Sequence, residues 1–357
     1  MLAIVGATRI SFSDDDKIRE RDSQAQVLLT EISGKSLEDA AQILTSEFNK
    51  TARADDKGPL GEGDEGKYDK DPKYRFDAFD CTTYVETITA LMASKTVDDF
   101  KKNMDRIRYE NAEVDFVKRN HFTDLDWIPN NLAQGYYSEV TDEVAGLGEV
   151  VGKEPLQLAK ALIDKRGWYQ KMGDGQIQGQ PNLSLTDRAK LLQELRAEGR
   201  KFEPREAVVL YVELDSIFTP KVAAPEELSR RETERQALAA KYLPEDQKKL
   251  DKEFAALKLK YRVQDSDINQ ALLARVPTPS VVNIVRPNWD LTRDAGTHMN
   301  ISHQMIAVRK NGVLYFEFPS IYEHVMKDMP ASDYLAKFLL SPTIKGINIL
   351  KINEMRK

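Results

Sequence analysis

The residues able to do covalent chemistry are few: Cys81 is the only cysteine in 357 residues, and His121, His298, His303 and His324 are the only histidines. A thiol attacks a carbonyl as its thiolate, and an imidazole must take the thiol proton and pass it to the leaving amine. A Cys–His pair would therefore serve acyl transfer through a thioester. A lone cysteine is more often a small buried hydrophobe, so its neighbours have to argue otherwise. They do: Val85, Ile88 and Met92 follow Cys81 at i+4, i+7 and i+11. That spacing predicts a helix starting at about Cys81, with Asp80 as its N-cap. A helix N-terminus favours an anion, which predicts a lowered thiol pKa. Among the histidines, His303 opens a predicted strand, His298 lies five residues earlier in a loop, and His324 follows in a polar stretch.

These groups must be held by the elements around them. Residues 1–55 read as a polar lead-in and an amphipathic helix, with Leu37, Ala40, Ala41, Ile43, Leu44 and Phe48 at helical spacing after Ser36. Residues 56–75, rich in Gly, Pro and charge, read as a loop near a functional edge. Residues 131–275 read as a mostly helical insertion, clearest from Pro225 to Arg262, although Ala207–Val212 is strand-like. From 276 the pattern changes to strands at Ser280–Val285, Gln304–Arg309 and Val313–Phe318, with a polar loop from Arg286 to Asn300. Asn311-Gly312 between two apolar runs is a hairpin signal. The expected class is α+β: one elaborated domain over 1–357, with the nucleophile helix in 76–130 packed on an antiparallel sheet whose histidine strand lies in 276–357.

Bulk composition narrows the function classes. Acidic residues outnumber basic ones 58 to 52, and no dense basic run would track a phosphate backbone, so nucleic acid is not the expected partner. No run approaches 18 apolar residues, which argues against a spanning helix. The opening Met1–Gly6 is apolar but lacks a basic start before it, unlike an export signal. His298 and His303 are spaced neither as a helical i,i+4 pair nor as a fixed strand pair, so neither a metal site nor another cofactor is expected.

The segment Phe79-Asp80-Cys81-Thr82-Thr83-Tyr84-Val85-Glu86-Thr87 resembles the nucleophile motif of the N-acetylmuramoyl-L-alanine amidase-like family, a branch of the NlpC-type papain-like peptidoglycan hydrolases. Arg108-Tyr109-Glu110-Asn111, followed by Asn120-His121-Phe122-Thr123-Asp124 and Trp127, is similar to its second motif. Ile301-Ser302-His303-Gln304 is similar to its histidine strand. The resemblance implies a papain-like core with large helical insertions, no metal, Cys81 as nucleophile and His303 as base. The implied substrates are muropeptides, the fragments of peptidoglycan, cut at the amide between muramic acid and L-alanine. It also implies a periplasmic setting. Asp80, Tyr84, Arg108, His121, Asp124, Trp127 and Ser302 would then line the substrate site, with Arg108 able to grip a carboxylate bidentately.

The third catalytic member is where the residues leave a choice, because the strand after His303 departs from the family pattern. A two-residue Asn311-Gly312 turn puts Phe318 and Ser320 on the face of His303, whereas a three-residue turn brings Glu317 there. Glu317 is the expected partner because a carboxylate can accept from the imidazole N–H; Ser302 or a backbone carbonyl is the alternative. Two rival functions also remain open: an endopeptidase that cuts within the stem peptide, and a catalytically degenerate binding module that docks through 225–262.

Overall fold

The computed structural model describes residues 14–55, 58–146 and 155–355; the opening Met1–Gly6 stretch lies outside them. Its centre is an antiparallel sheet of eight strands: β1 (Tyr137–Glu139), β2 (Leu156–Ile163), β3 (Arg205–Glu213), β4 (Ser280–Leu291), β5 (Thr297–Lys310), β6 (Val313–Ser320), β7 (Val325–Pro330) and β8 (Gly346–Ile352). The order across the sheet is β7-β6-β5-β4-β8-β3-β2, with β1 added on β8. The class is thus mixed α and β around an antiparallel sheet.

One face of the sheet is covered by α2 (Leu37–Thr51) and α3 (Cys81–Met92), with α1 (Asp14–Glu31) and α4 (Val97–Arg108) packed behind them. Ser36 caps α2, and Asp80 caps α3 as expected by accepting from the Thr83 N–H at 2.7 Å. Strand positions Val281, Val285, Ile306 and Val308 meet Tyr84, Val85 and Ile88 of α3 in one apolar core. The opposite face buries Val282, Ile284, Met305, Ala307, Phe316 and Phe318 against a short helix, α5 (Ala331–Ala336). This period-two alternation places every β5 side chain on one face or the other.

Three expectations are corrected here. The lead-in before residue 37 contains α1, whose sparse stripe of Ala25, Leu28 and Leu29 is buried but too thin to stand out in sequence. The 131–275 region is not merely a helical insertion, since β1, β2 and β3 complete the main sheet. Its two charged helices, Pro225–Ala239 and Gln247–Gln264, bury almost nothing. The stretch from Arg286 to Asn300 is not a free loop either: β4 and β5 stay paired from Trp289–Met299 to Leu291–Thr297 beyond a register shift. No described helix is long and apolar enough to cross a membrane.

Candidate active site

Register decides which groups accompany His303. The β5–β6 turn has two residues, Asn311 and Gly312, both at positive φ, and pairs Lys310 with Val313. Positive φ at both turn positions is what Asn-Gly tolerates and a two-residue hairpin turn demands. Glu317 is therefore opposite Ile306, on the helix-covered face, and the expectation that it orients His303 is wrong. It is fully buried, accepts from Asn49 Nδ2 at 2.7 Å and pairs with Lys310 Nζ at 2.5 Å. The ring beside His303 is Phe318, edge to face with centroids 5.5 Å apart. Phe318 in turn touches Tyr334 of α5 at 4.8 Å.

Strands β5 and β6 stop pairing at Glu317–Ile306, while β4 stays with β5 through and beyond Ile284–His303. The β6 side of β5 is therefore open at Gln304 and His303. The first turn of α3 faces this opening. Thr82 Oγ1 donates to Gln304 Oε1 at 2.9 Å, and the Gln304 backbone N–H is directed at the Cys81 sulfur. Cys81 Sγ is 3.9 Å from Thr82 Oγ1, and both Cys81 and His303 are half-buried. Among the described residues no hydrogen bond joins the two, and the His303 ring has no hydrogen-bonded partner. Ser302 sits at the irregularity beside His303, where β4 pairs Ile284 with His303 and then Val285 with Ile301. Its hydroxyl donates to the Ile284 carbonyl at 3.5 Å.

Gln304 is the end of a buried polar row that crosses three strands. Its Nε2 donates to Asn283 Oδ1 at 3.0 Å, and Asn283 Nδ2 donates to Asn348 Oδ1 at 2.8 Å. Asn348 Nδ2 then donates to Glu139 Oε2 at 2.8 Å and to the Leu210 carbonyl at 3.0 Å. A satisfied row of this kind admits one arrangement, because every amide has its orientation set by the next. It bolts the first turn of α3 to the strand that carries His303. Gln304→Leu should strand both Thr82 and Asn283. Steady-state kinetics should show kcat falling roughly 100-fold with KM little changed, the scale expected of a misplaced reacting group. Gln304→Glu, which keeps the acceptor for Thr82, should lose less.

The electrostatics differ from the thiolate expectation. Burial pushes the Cys81 thiol up to about 11, the neighbouring Asp80 charge adds to this, and the Gln304 N–H opposes it. The Asp80 carboxyl is itself raised by burial. Burial alone lowers His303 to about 4. The resting pair is thus a thiol and a neutral imidazole, because the cost of charging two desolvated groups exceeds the help of one helix terminus. Tyr334, which no local sequence pattern marks, has its hydroxyl within electrostatic reach of Cys81 and of Tyr322.

Several expected substrate residues are structural. Arg108 is buried: Nε pairs with Glu86 Oε2 at 3.1 Å, and the terminal nitrogens donate to the carbonyls of Leu60, Gly61 and Lys73 at 3.3 Å. It holds the 58–75 loop to α4. Trp127 is fully buried and donates to Glu86 Oε1 at 3.1 Å. His121 lies between Phe116 and Trp168, its Nε2 2.7 Å from the Phe116 carbonyl. Asp124 is buried and accepts from the Asn300 N–H at 3.0 Å. Tyr84 is wholly inside the helix–sheet core. Arg108, Trp127 and Asp124 satisfy backbone or ionic partners that distant sequence supplies, which motif spacing cannot reveal. Among the described residues no three His, Cys, Asp or Glu side chains converge as metal ligands.

Comparison with known proteins gives this geometry a context. A crystal structure of a Legionella pneumophila protein of the DUF1460 family superposes with a TM-score of 0.77 at 27% identity, over 96% of this chain and 98% of that one. A Bacteroides uniformis N-acetylmuramoyl-L-alanine amidase gives a TM-score of 0.48 at 16% identity, over 88% and 98% of the two chains. No curated protein matches. The sequence pattern of the N-acetylmuramoyl-L-alanine amidase-like family matches residues 57–341, which include Cys81, Gln304 and His303. Membership of that family points to an amidase acting on peptidoglycan. The chain belongs to the N-acetylmuramoyl-L-alanine amidase-like family.

Proposed function

We propose that this protein hydrolyses the amide between N-acetylmuramic acid and L-alanine in peptidoglycan fragments, with Cys81 as nucleophile and His303 as general base. The observation that carries the reading is the Thr82–Gln304 bond, which seats the thiol-bearing end of α3 at the open side of the strand carrying His303. A helix on an antiparallel sheet, with a thiol at its N-terminus and an imidazole on a central strand, supports a papain-like core of the NlpC type. The periplasm, where such fragments arise, is the setting this substrate implies.

In the first step the neutral His303 takes the Cys81 proton as sulfur adds to the lactyl carbonyl. The C–N bond then breaks, the proton goes to the L-alanine nitrogen, and a thioester remains. Water, deprotonated by His303, cleaves the thioester and frees the thiol. No step calls on a metal. Incubating purified protein with defined muropeptides, and reading the products by mass spectrometry, tests this: release of the intact stem peptide supports it, and no cleavage by folded protein rejects it.

The pH dependence follows from the burial of His303. The base works only when neutral, so kcat/KM should hold from about pH 5 upward and fall as His303 protonates near 4. An acid limb centred near the ordinary histidine value of about 6.5 would instead show that burial does not lower His303 in the working enzyme. Stability should move in the same direction. Between about 6.5 and 4 the unfolded chain binds a proton that the native His303 does not, so stability falls as pH falls through that window.

A further inference from the structure

We propose that Arg286 is the substrate-anchoring residue of this site, binding a free carboxylate of the stem peptide one residue beyond the amide that is cut. The inference rests on the amidase reading and specifies the part of the substrate that it recognises.

Arg286 follows Ile284, the β4 partner of His303, by two residues, at the point where the β4–β5 register shifts, and its partner Thr343 adjoins Ile344 of the core that also buries Ile284, Met305 and Phe318. Its Nε donates to Thr343 Oγ1 at 3.0 Å, and its guanidinium carbon is 4.2 Å from the centre of the Trp289 ring. One side of the fork is thus pinned and one face is stacked. Among the described residues no carboxylate comes within ion-pair distance of it. A half-buried arginine that is held in place but not neutralised is a ready site for a planar anion, which would accept from its terminal N–H groups bidentately. The contrast with Arg108 and Arg119 is informative. Arg108 pairs with Glu86, and Arg119 pairs with Glu62 and Asp69, so neither has charge to offer a ligand.

Position agrees with chemistry. Tyr322, almost fully exposed in the β6–β7 turn, is within electrostatic reach of both Arg286 and Tyr334, and Tyr334 is within reach of Cys81. Two residues of strand advance about 7 Å. One peptide unit separates the scissile nitrogen from the second stem residue, about 4 Å between α-carbons, and its carboxylate extends further. The first free carboxylate of an acidic stem peptide therefore falls in the span that Arg286 covers.

The test uses two synthetic muropeptides that differ only in the second stem residue, one with a free α-carboxylate and one with its carboxamide. Wild type should favour the acid by roughly 10- to 100-fold in kcat/KM, the range of a charge-assisted bidentate contact. Arg286→Gln should erase that preference by losing far more activity on the acid than on the amide. Arg286→Lys, which keeps a cation without the fork, should retain part of it. Thr343→Val, which removes the pin, should weaken it and carries the test if the Arg286 variants fail to fold, as judged by thermal melts. Equal turnover of the two substrates by wild type, or an unchanged preference in Arg286→Gln, overturns the inference and leaves the amidase reading standing. If wild type cuts neither, the amidase reading fails. Titration of Cys81→Ala and of Cys81→Ala/Arg286→Gln with both peptides then decides the inference alone: a carboxylate preference that needs Arg286 supports it, and equal binding overturns it.

Discussion

Cys81→Ala is expected to abolish stem-peptide release, with a loss on the order of 10⁴-fold or more in kcat, since it removes the nucleophile from a pair that acts as a unit. The fold should survive, because Cys81 is half-buried at the start of α3 and makes no contact that the Asp80 cap and the Thr82–Gln304 bond do not already secure. The comparison needs defined muropeptides and a far-ultraviolet spectrum for each protein. His303→Ala should lose nearly as much, and the double variant no more than either alone, because one proton transfer links the two groups. Substantial turnover by folded Cys81→Ala would end the covalent mechanism. Strict additivity of the two single losses would argue that Cys81 and His303 do not act together.

Arg108→Ala should be the most destabilising of the substitutions considered, by about 3–5 kcal/mol, because it leaves the Glu86 charge in the interior without its partner. It also deprives the carbonyls of Leu60, Gly61 and Lys73 of their donor. A fall of several degrees in the melting temperature would register this. The loss should grow with pH. Burial already pushes Glu86 up to about 7 against the pull of Arg108, and without the guanidinium it rises further, so acid solutions neutralise the stranded group while alkaline ones do not. A substrate-binding arginine would behave in the opposite way, raising KM while the melting temperature stayed put. The same contrast applies to Trp127, whose indole belongs to the Glu86 cluster and not to a sugar platform.

How far local sequence could be trusted shows in particular residues. The α3 start at Cys81, its Asp80 cap and the Asn311-Gly312 hairpin were all legible, because caps, turns and helical periodicity are settled within a few residues. The strand that carries His303 was legible for the same reason. Glu317 was misassigned because one residue of turn length inverts every side chain beyond it, and both lengths were written into the same strand. The observed pairing of Lys310 with Val313 chose the face. Arg108, His121, Asp124 and Trp127 were misread because their partners are the 58–75 loop, Phe116, Asn300 and Glu86, and nothing in a motif says whether a polar group will be satisfied by its own chain or kept for a ligand.

The chain alone was enough to give the α+β class and the helix end on which the thiol sits, since each follows from residue type and short-range spacing. Three things came only with the packed structure. They are the neutral state of the Cys–His pair, the Gln304–Asn283–Asn348 row that aligns its two halves, and the uncompensated charge of Arg286. All three depend on what surrounds a group on every side. Desolvation, polar satisfaction and charge balance are sums over neighbours that lie tens to hundreds of residues away in sequence, and no local pattern contains them.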